Sequence, residues 1–224
     1  MKKCLLLVAS CLLFPITYWA SPSLNGPTGL ISIPTAEALK YKEFNVAFDY
    51  GMGANIQSKT SADDWSYKLN MGTFENWEIG VVGGKVPTEG MYLNVKYYLM
   101  SDDSQLPLSI AIGSENLSSM SQTNIYMIAS KKMREDIGLH LGFKAIFEPE
   151  QLSPSIMGGL NYFATEELEF LGDIDGDGKT YRANLGLRYF LTNQFSFRIF
   201  ILDISEQVKN SARFSIGLSF SKFL

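Results

Sequence analysis

The sequence of 224 residues predicts an all-β fold, a transmembrane antiparallel β-barrel of about twelve strands. Three observations carry that expectation. Apolar and polar side chains alternate with a period of two along most of the chain, as in strands with one apolar face. Short polar turns and longer polar loops alternate between those segments, as they do at the two ends of an outer-membrane barrel. The chain finishes on one long amphipathic strand, with Phe214, Ile216, Leu218, Phe220 and Leu224 on one face and Arg213, Ser215, Gly217, Ser219 and Ser221 on the other. Such a strand is an exposed edge unless it pairs with the first one and closes a barrel. Lys222 falls on the lipid face and has to snorkel toward the periplasmic headgroups.

The first twenty residues read as an export signal. Lys2 and Lys3 make a positive start, Cys4 to Phe14 an apolar run, and Pro15 to Ala20 leads to a cut after Ala20, although Tyr18 is bulky for its position. A membrane anchor is the competing reading, but the run is short for a span and broken by Pro15. Val8-Ala9-Ser10-Cys11 resembles a lipidation box, yet the apolar run continues past it. Removing residues 1–20 takes away both cysteines, Cys4 and Cys11, and with them disulfides, thiol catalysis and cysteine metal sites. It also takes away two lysines and no acid, so the formal charge moves from −4 to −6, a balance that argues against nucleic acid as a partner. The expected organisation is a signal peptide over 1–20, an N-terminal periplasmic or plug segment over 21–42, and the barrel over 43–224.

The strands follow in order. Phe44, Val46, Phe48 and Tyr50 alternate with Asn45, Ala47, Asp49 and Gly51, and Tyr67, Leu69 and Met71 with Lys68, Asn70 and Gly72. Trp77, Ile79 and Val81 come next, then Met91 to Leu99 against Asn94 and Lys96, then Leu108, Ile110 and Ile112. Ile125, Met127 and Ala129 form a weaker segment before Ile137 to Ala145, which alternates with Gly138, His140, Gly142 and Lys144. Ile156 to Tyr162, Leu168 with Phe170, Tyr181 to Tyr189, Phe195 to Ile201 and the terminal strand complete the series. Tight turns are expected at 74–77, 134–137, 165–168 and 192–195, with a longer one at 100–106. Longer loops are expected at 52–64, 115–122, 148–153, 171–179 and 203–212, with a shorter one at 85–90. A soluble β-sandwich or lipocalin-like barrel also alternates, but it would hide the apolar face. Here one face is almost purely large and apolar, and the other mixes Gly and Ser with isolated charges.

Residues 26–39, Gly-Pro-Thr-Gly-Leu-Ile-Ser-Ile-Pro-Thr-Ala-Glu-Ala-Leu, resemble the opening signature of the YjbH family, through Thr28-Gly29-Leu30 and Pro34-Thr35-Ala36. Val95 to Leu99, Leu106-Pro107 and Ile112-Gly113 resemble the same family's mid-barrel hairpin. The resemblance implies an outer-membrane β-barrel, associated in some members with exopolysaccharide production or export. Longer members carry regions for which this chain has no room.

Little in the sequence points to catalysis. Asp173-Ile-Asp-Gly-Asp-Gly178 matches the first half of a calcium loop, but Asn184 stands where the closing glutamate belongs. His140 is the single histidine, and its alternation with Leu139 and Leu141 points it into the lumen, toward a polar network near Lys144. No nucleophile and base assemble from spacing, so a non-enzymatic chain without cofactor is expected. The candidate functional residues are lumen-lining: Lys68, Lys96, Lys144, Arg182, Arg188 and Arg198 against Asp49, Glu78 and Glu169. A cationic excess there would favour anions or an acidic glycan; the same charges could instead pair and fill a closed interior. The expected partners are outer-membrane lipids, the barrel-assembly machinery and an anionic polysaccharide. The functions expected are exopolysaccharide export or assembly, a narrow passive pore, or a non-conducting structural or surface-interaction barrel.

Overall fold

Closure is the organising feature of the molecule. The computed structural model describes residues 21–55, 60–61, 63–85, 90–100, 108–176, 180–205 and 213–224. The proposed signal peptide with Cys4 and Cys11, and all but Met100 of the turn expected at 100–106, lie outside the described residues. The strands are β1 (Glu43–Asn55), β2 (Thr60–Ser61), β3 (Asp64–Phe74), β4 (Trp77–Gly84), β5 (Tyr92–Met100), β6 (Ser109–Glu115), β7 (Thr123–Arg134), β8 (Ile137–Glu148), β9 (Gln151–Phe163), β10 (Leu168–Gly176), β11 (Tyr181–Phe190), β12 (Phe195–Leu202) and β13 (Arg213–Phe223). β2 is a two-residue ladder on the end of β1. The other twelve are staves, each antiparallel to its sequence neighbours. The last stave meets the first from Glu43↔Phe223 to Gly53↔Arg213, so the terminal strand has no free edge.

The wall is built inside out relative to a soluble protein. Val46, Phe48, Tyr50 and Met52 of β1 are 37–49% exposed on the outer surface, while Asn45, Ala47 and Asp49 between them are buried inward. Lipid, not a protein core, covers that outer face. Aromatic rings gather toward its two ends. Phe48, Trp65 and Tyr67 stack near one rim; Trp77 with Tyr97 and Phe195 with Phe220 meet near the other. Amphipathic rings of this kind sit at headgroup level. Lys222 pairs in register with Phe44 at the second rim and is exposed there, within reach of headgroups.

The rim that carries both termini has the tight turns, at Glu75–Asn76, Glu135–Asp136, 164–167 and 191–194. Asn76, and not Glu75, takes a positive φ (+66°), beside a register shift at Gly72/Phe74, as when a hairpin turn is closed by one left-handed residue. At the opposite rim, two expected loops are shorter than the sequence indicates. Only Pro149 and Glu150 separate β8 from β9, and β10 runs as strand to Gly176. The Asp and Gly content of 171–179 reads as a loop, but a lumen accepts Asp173 and Asp175 on the inner face of a strand.

Candidate functional site: the occupied lumen

Residues 21–42 pass through the interior of the barrel. They form no regular strand and hold their path by two isolated bridges, Pro22↔Thr28 and Gly29↔Pro34. Short backbone bonds add to these, including Leu24 N to Ile31 O (2.7 Å), Gly29 N to Ser21 O (2.9 Å) and Thr35 N to Thr28 O (3.1 Å). Ser23, Thr28, Ile31, Ile33 and Ala36 have no measurable exposure. An irregular segment this buried leaves backbone groups for the wall to satisfy.

Two wall carboxylates do most of that. Asp173 on β10 accepts the consecutive N–H groups of Ile31 (3.0 Å), Ser32 (2.7 Å) and Ile33 (3.2 Å) on Oδ2, and the Ser32 hydroxyl (3.1 Å) on Oδ1. Asn184 of β11 donates to the same Oδ1 at 2.7 Å. Glu78 on β4 accepts Thr28 N on Oε1 (2.8 Å) and Leu39 N on Oε2 (3.1 Å), with the Thr28 hydroxyl 2.7 Å from Oε2. The 28–33 turn is thus a nest of N–H groups closed around anions. The segment's carbonyls are met by Lys96 at Thr28 (2.9 Å), Asn70 at Gly26 (2.7 Å), Asn94 at Asn25 (3.1 Å), Arg198 at Pro22 (2.5 Å) and Arg188 at Gly29 (3.3 Å). Ser130 accepts Ala36 N at 2.8 Å.

Apolar contact completes the docking. Leu30, Ile31, Ile33 and Ala36 pack with inward-facing Ala111, Tyr126, Ile128, Met157, Leu171 and Phe200 of the wall. Gly159 makes room: a Cβ there would stand 2.3 Å from Leu30 Cδ1 and 3.0 Å from Ile33 Cδ1. These inward apolar residues were the readable sign of an internal ligand, since a water-filled bore has no use for them.

The nine lumen candidates are placed as follows. Lys68, Lys96, Lys144, Arg188, Arg198, Asp49, Glu78 and Glu169 are all buried inside the wall. Arg182, near the rim of the longer loops, keeps its side chain 53% exposed. Asp49 receives Arg198 through Nε (2.8 Å) and Nη2 (2.5 Å), and also Lys68. Gly217 leaves the gap through which that pair spans β13, since a Cβ there would lie 2.0 Å from Asp49 Oδ1. Lys96 lies 3.4 Å from Glu78, Arg188 2.7 Å from Glu169, and Lys144 and Arg182 each 3.0 Å from Asp175. The expected cationic excess is reversed. Among the described residues, five buried cations face eight buried carboxylates, because Glu43, Glu115, Asp173, Asp175 and Asp203 join the three anticipated.

His140 points inward as its alternation requires, but its partners are Ser130 (Nδ1, 2.7 Å) and Asn161 (Nε2, 3.0 Å), while Lys144 is engaged by Asp175. Asn161 donates to Glu169 at 2.9 Å, and Arg188 carries the chain back to the segment at Gly29. The calcium motif divides differently from its sequence pattern. Asp173 is committed to the segment and Asp175 to two cations; the motif's last two residues, Asp177 and Gly178, lie outside the described residues.

The segment separates two cavities. One of about 460 Å³ opens at the rim of the longer loops, with Asn25 and Ser32 of the segment in its lining beside Asp64, Asp175, Arg182 and Arg213. The other, of about 300 Å³, opens at the rim of the termini beside Lys132, His140, Asn161 and Arg188.

No family model matches the chain, and no curated protein matches it. Solved structures do. The NanC porin aligns with a TM-score of 0.56 at 13% identity, over 81% of this chain and 99% of that one. The KdgM porin in complex with disordered oligogalacturonate gives 0.57 at 12% identity, over 80% and 99%. An outer membrane channel from Pseudomonas putida F1 gives 0.53 at 10% identity, over 87% and 100%. At these identities the likeness is one of fold. Together with the lipid-facing apolar belt and the closed twelve-stave wall, it places the chain in the outer membrane as a porin-like β-barrel.

Proposed function

We propose that the chain is a narrow passage through the outer membrane, closed at rest by its own residues 21–42, and that it serves export or assembly of an exopolysaccharide as a member of the YjbH family. The observation that carries this reading is how the segment is held. Apart from Lys42 at its exit, whose backbone bonds Gly72 and Leu224, it is joined to the wall by side-chain hydrogen bonds and apolar contacts and by no strand pairing, so it can leave without breaking the barrel. A barrel of about eight strands is filled by its own side chains, and one of about sixteen encloses water. Twelve staves leave a bore that needs a filler, and its departure opens a route between the two cavities. The saccharide class draws support from the lining of the outer cavity, which sets Asn and Asp side chains beside Trp65 and Tyr92. The porin of like fold in complex with oligogalacturonate supports a saccharide as the class of solute and says nothing of its charge here.

The test is conductance in planar bilayers of the whole chain and of a variant lacking 21–42. Rare, short openings in the first and steady conductance in the second are expected. A folded deletion variant without conductance would remove the passage. The second reading, a non-conducting structural barrel, is favoured by one observation, the pairing of Lys68, Lys96, Lys144, Arg188 and Arg198 with interior carboxylates. That experiment decides between the two.

A further inference from the structure

The charge inside the barrel is arranged around the segment, and two carboxylates stand out. Among the described residues no cation pairs with Asp173; its donors are the segment's Ile31, Ser32 and Ile33 N–H groups, the Ser32 hydroxyl and the Asn184 amide. Glu115 of β6 is 1% exposed, takes Asn124 on Oε2 at 3.1 Å, and leaves Oε1 buried without a hydrogen-bond partner. The interior cations, by contrast, each have a carboxylate of the wall that stays when the segment goes: Asp49 for Lys68 and Arg198, Glu78 for Lys96, Glu169 for Arg188, Asp175 for Lys144 and Arg182. Those six cations share four carboxylates, but Asp173, Glu115, Glu43 and Asp203 bring the buried carboxylates of the wall to eight, so among the described residues the interior without the segment keeps a net negative charge.

We infer that the bore vacated by residues 21–42 selects against anions and admits cationic or neutral, donor-rich solutes, with Asp173 and Glu115 as the residues that set this preference. The segment itself is the second observation behind the site, because it already satisfies Asp173 with a row of uncharged N–H donors and one hydroxyl. A neutral polyol or an ammonium-bearing chain can replace those donors, whereas a uronate or a phosphate meets an unshielded carboxylate. The inference rests on the reading that the segment can leave, and its test is chosen to fail separately from that reading.

Gly159→Cys, at the position paired in register with Asp173, is reacted with a trimethylammonium and a sulfonate methanethiosulfonate of similar size. Two backgrounds are used, the chain lacking 21–42 and the full chain carrying Ile31→Asp and Ile33→Asp, which places like charge against Asp173. The second keeps the test informative if the deletion does not fold. A unit charge about 6 Å away in water speeds the cation and slows the anion roughly threefold each, so a rate ratio about ten times that of the two reagents with a free thiol in solution is expected. That normalised ratio falls toward one in Asp173→Asn with Glu115→Gln. A normalised ratio of one or below, or one indifferent to the double substitution, overturns the inference. Bilayer conductance of the same proteins reports on the passage alone: silence with a high labelling ratio would sink the passage and leave the selectivity standing.

Discussion

Replacing Asp173 by Ala should undock the segment while leaving the barrel wall intact. Three consecutive N–H groups, Ile31, Ser32 and Ile33, would lose the single oxygen they share. The Ser32 hydroxyl still accepts Asn184 Nδ2 at 3.0 Å but loses the acceptor of its own proton, a lesser loss beside the three backbone groups. Each buried donor left without an acceptor costs about 1–3 kcal/mol, which brackets the whole at roughly 3–9 kcal/mol. Water admitted into the cleared volume moves the outcome to the low end, about 3 kcal/mol, or about 100-fold in the population of the undocked state. The apolar contribution of Leu30, Ile31 and Ile33 is untouched and keeps the docked state dominant.

The assay is thiol labelling of Ser23→Cys from solution in isolated outer membranes. Ser23 is fully buried and its Oγ has no hydrogen-bond partner, so a thiol there disturbs little. Labelling that waits on undocking rises with the undocked population, so Asp173→Ala should speed it about 100-fold. Asp173→Asn retains an acceptor oxygen and loses only the charge, so about 1–2 kcal/mol and roughly tenfold are expected. An unchanged labelling rate in Asp173→Ala would refute the claim that this carboxylate anchors the segment. A fall in the heat-modified gel shift of the same protein would instead mean that the wall and the segment stand or fall together.

Gly159→Val pushes a branched side chain into Leu30 and Ile33; Ser23→Cys labelling should rise by about 5- to 150-fold, from overpacking of about 1–3 kcal/mol. Leu141→Arg puts a charge on the lipid face near the middle of β8, where Leu141 is 58% exposed. It should cost the barrel about 2–4 kcal/mol in urea-gradient refolding, with labelling of the segment unchanged. Arg198→Met removes both bonds that Arg198 makes to Asp49 and leaves that carboxylate with Lys68 alone. Because Lys68 still compensates that charge, a loss of about 1.5–3 kcal/mol in the same refolding assay is expected, the scale of a hydrogen bond to a charged group.

The outer surface was legible in the sequence because lipid imposes one rule on every stave. Phe44 to Tyr50 and Phe214 to Phe220 alternate cleanly since nothing but hydrocarbon and headgroups selects their outward members. The interior obeys no single rule. Asp173 and Asp175 flank the outward Ile174 in strand register, yet their composition reads as a loop and a half-made calcium motif. Glu78 faces Lys96, Glu169 faces Arg188 and Asp175 faces Arg182 directly across neighbouring staves, so those pairings follow once the register is known, and register is what spacing alone leaves open. The place of 21–42 was beyond local reading. Its turn at Ile31–Ile33 is completed by a carboxylate more than a hundred residues away, and nothing within the segment distinguishes lying in the bore from lying across its mouth.

The segment and the wall explain each other's composition. Three prolines, at 22, 27 and 34, keep residues 21–42 from joining the sheet, since a proline cannot donate to a ladder. Gly26 at φ +115° permits a reversal that a side chain would resist, with Asn94 against its Cα. What results is a compact tangle with N–H groups exposed along one side and Leu30, Ile31 and Ile33 along another. The wall answers with carboxylates on β4 and β10 for the first and an inward apolar strip from β6 to β12 for the second. A permanently sealed barrel could be filled more simply, by larger side chains on its own staves. A detachable filler needs contacts that water can replace, and the hydrogen bonds on Asp173 and Glu78 are of that kind. The apolar strip makes docking the favoured state, and the polar anchors make it a reversible one.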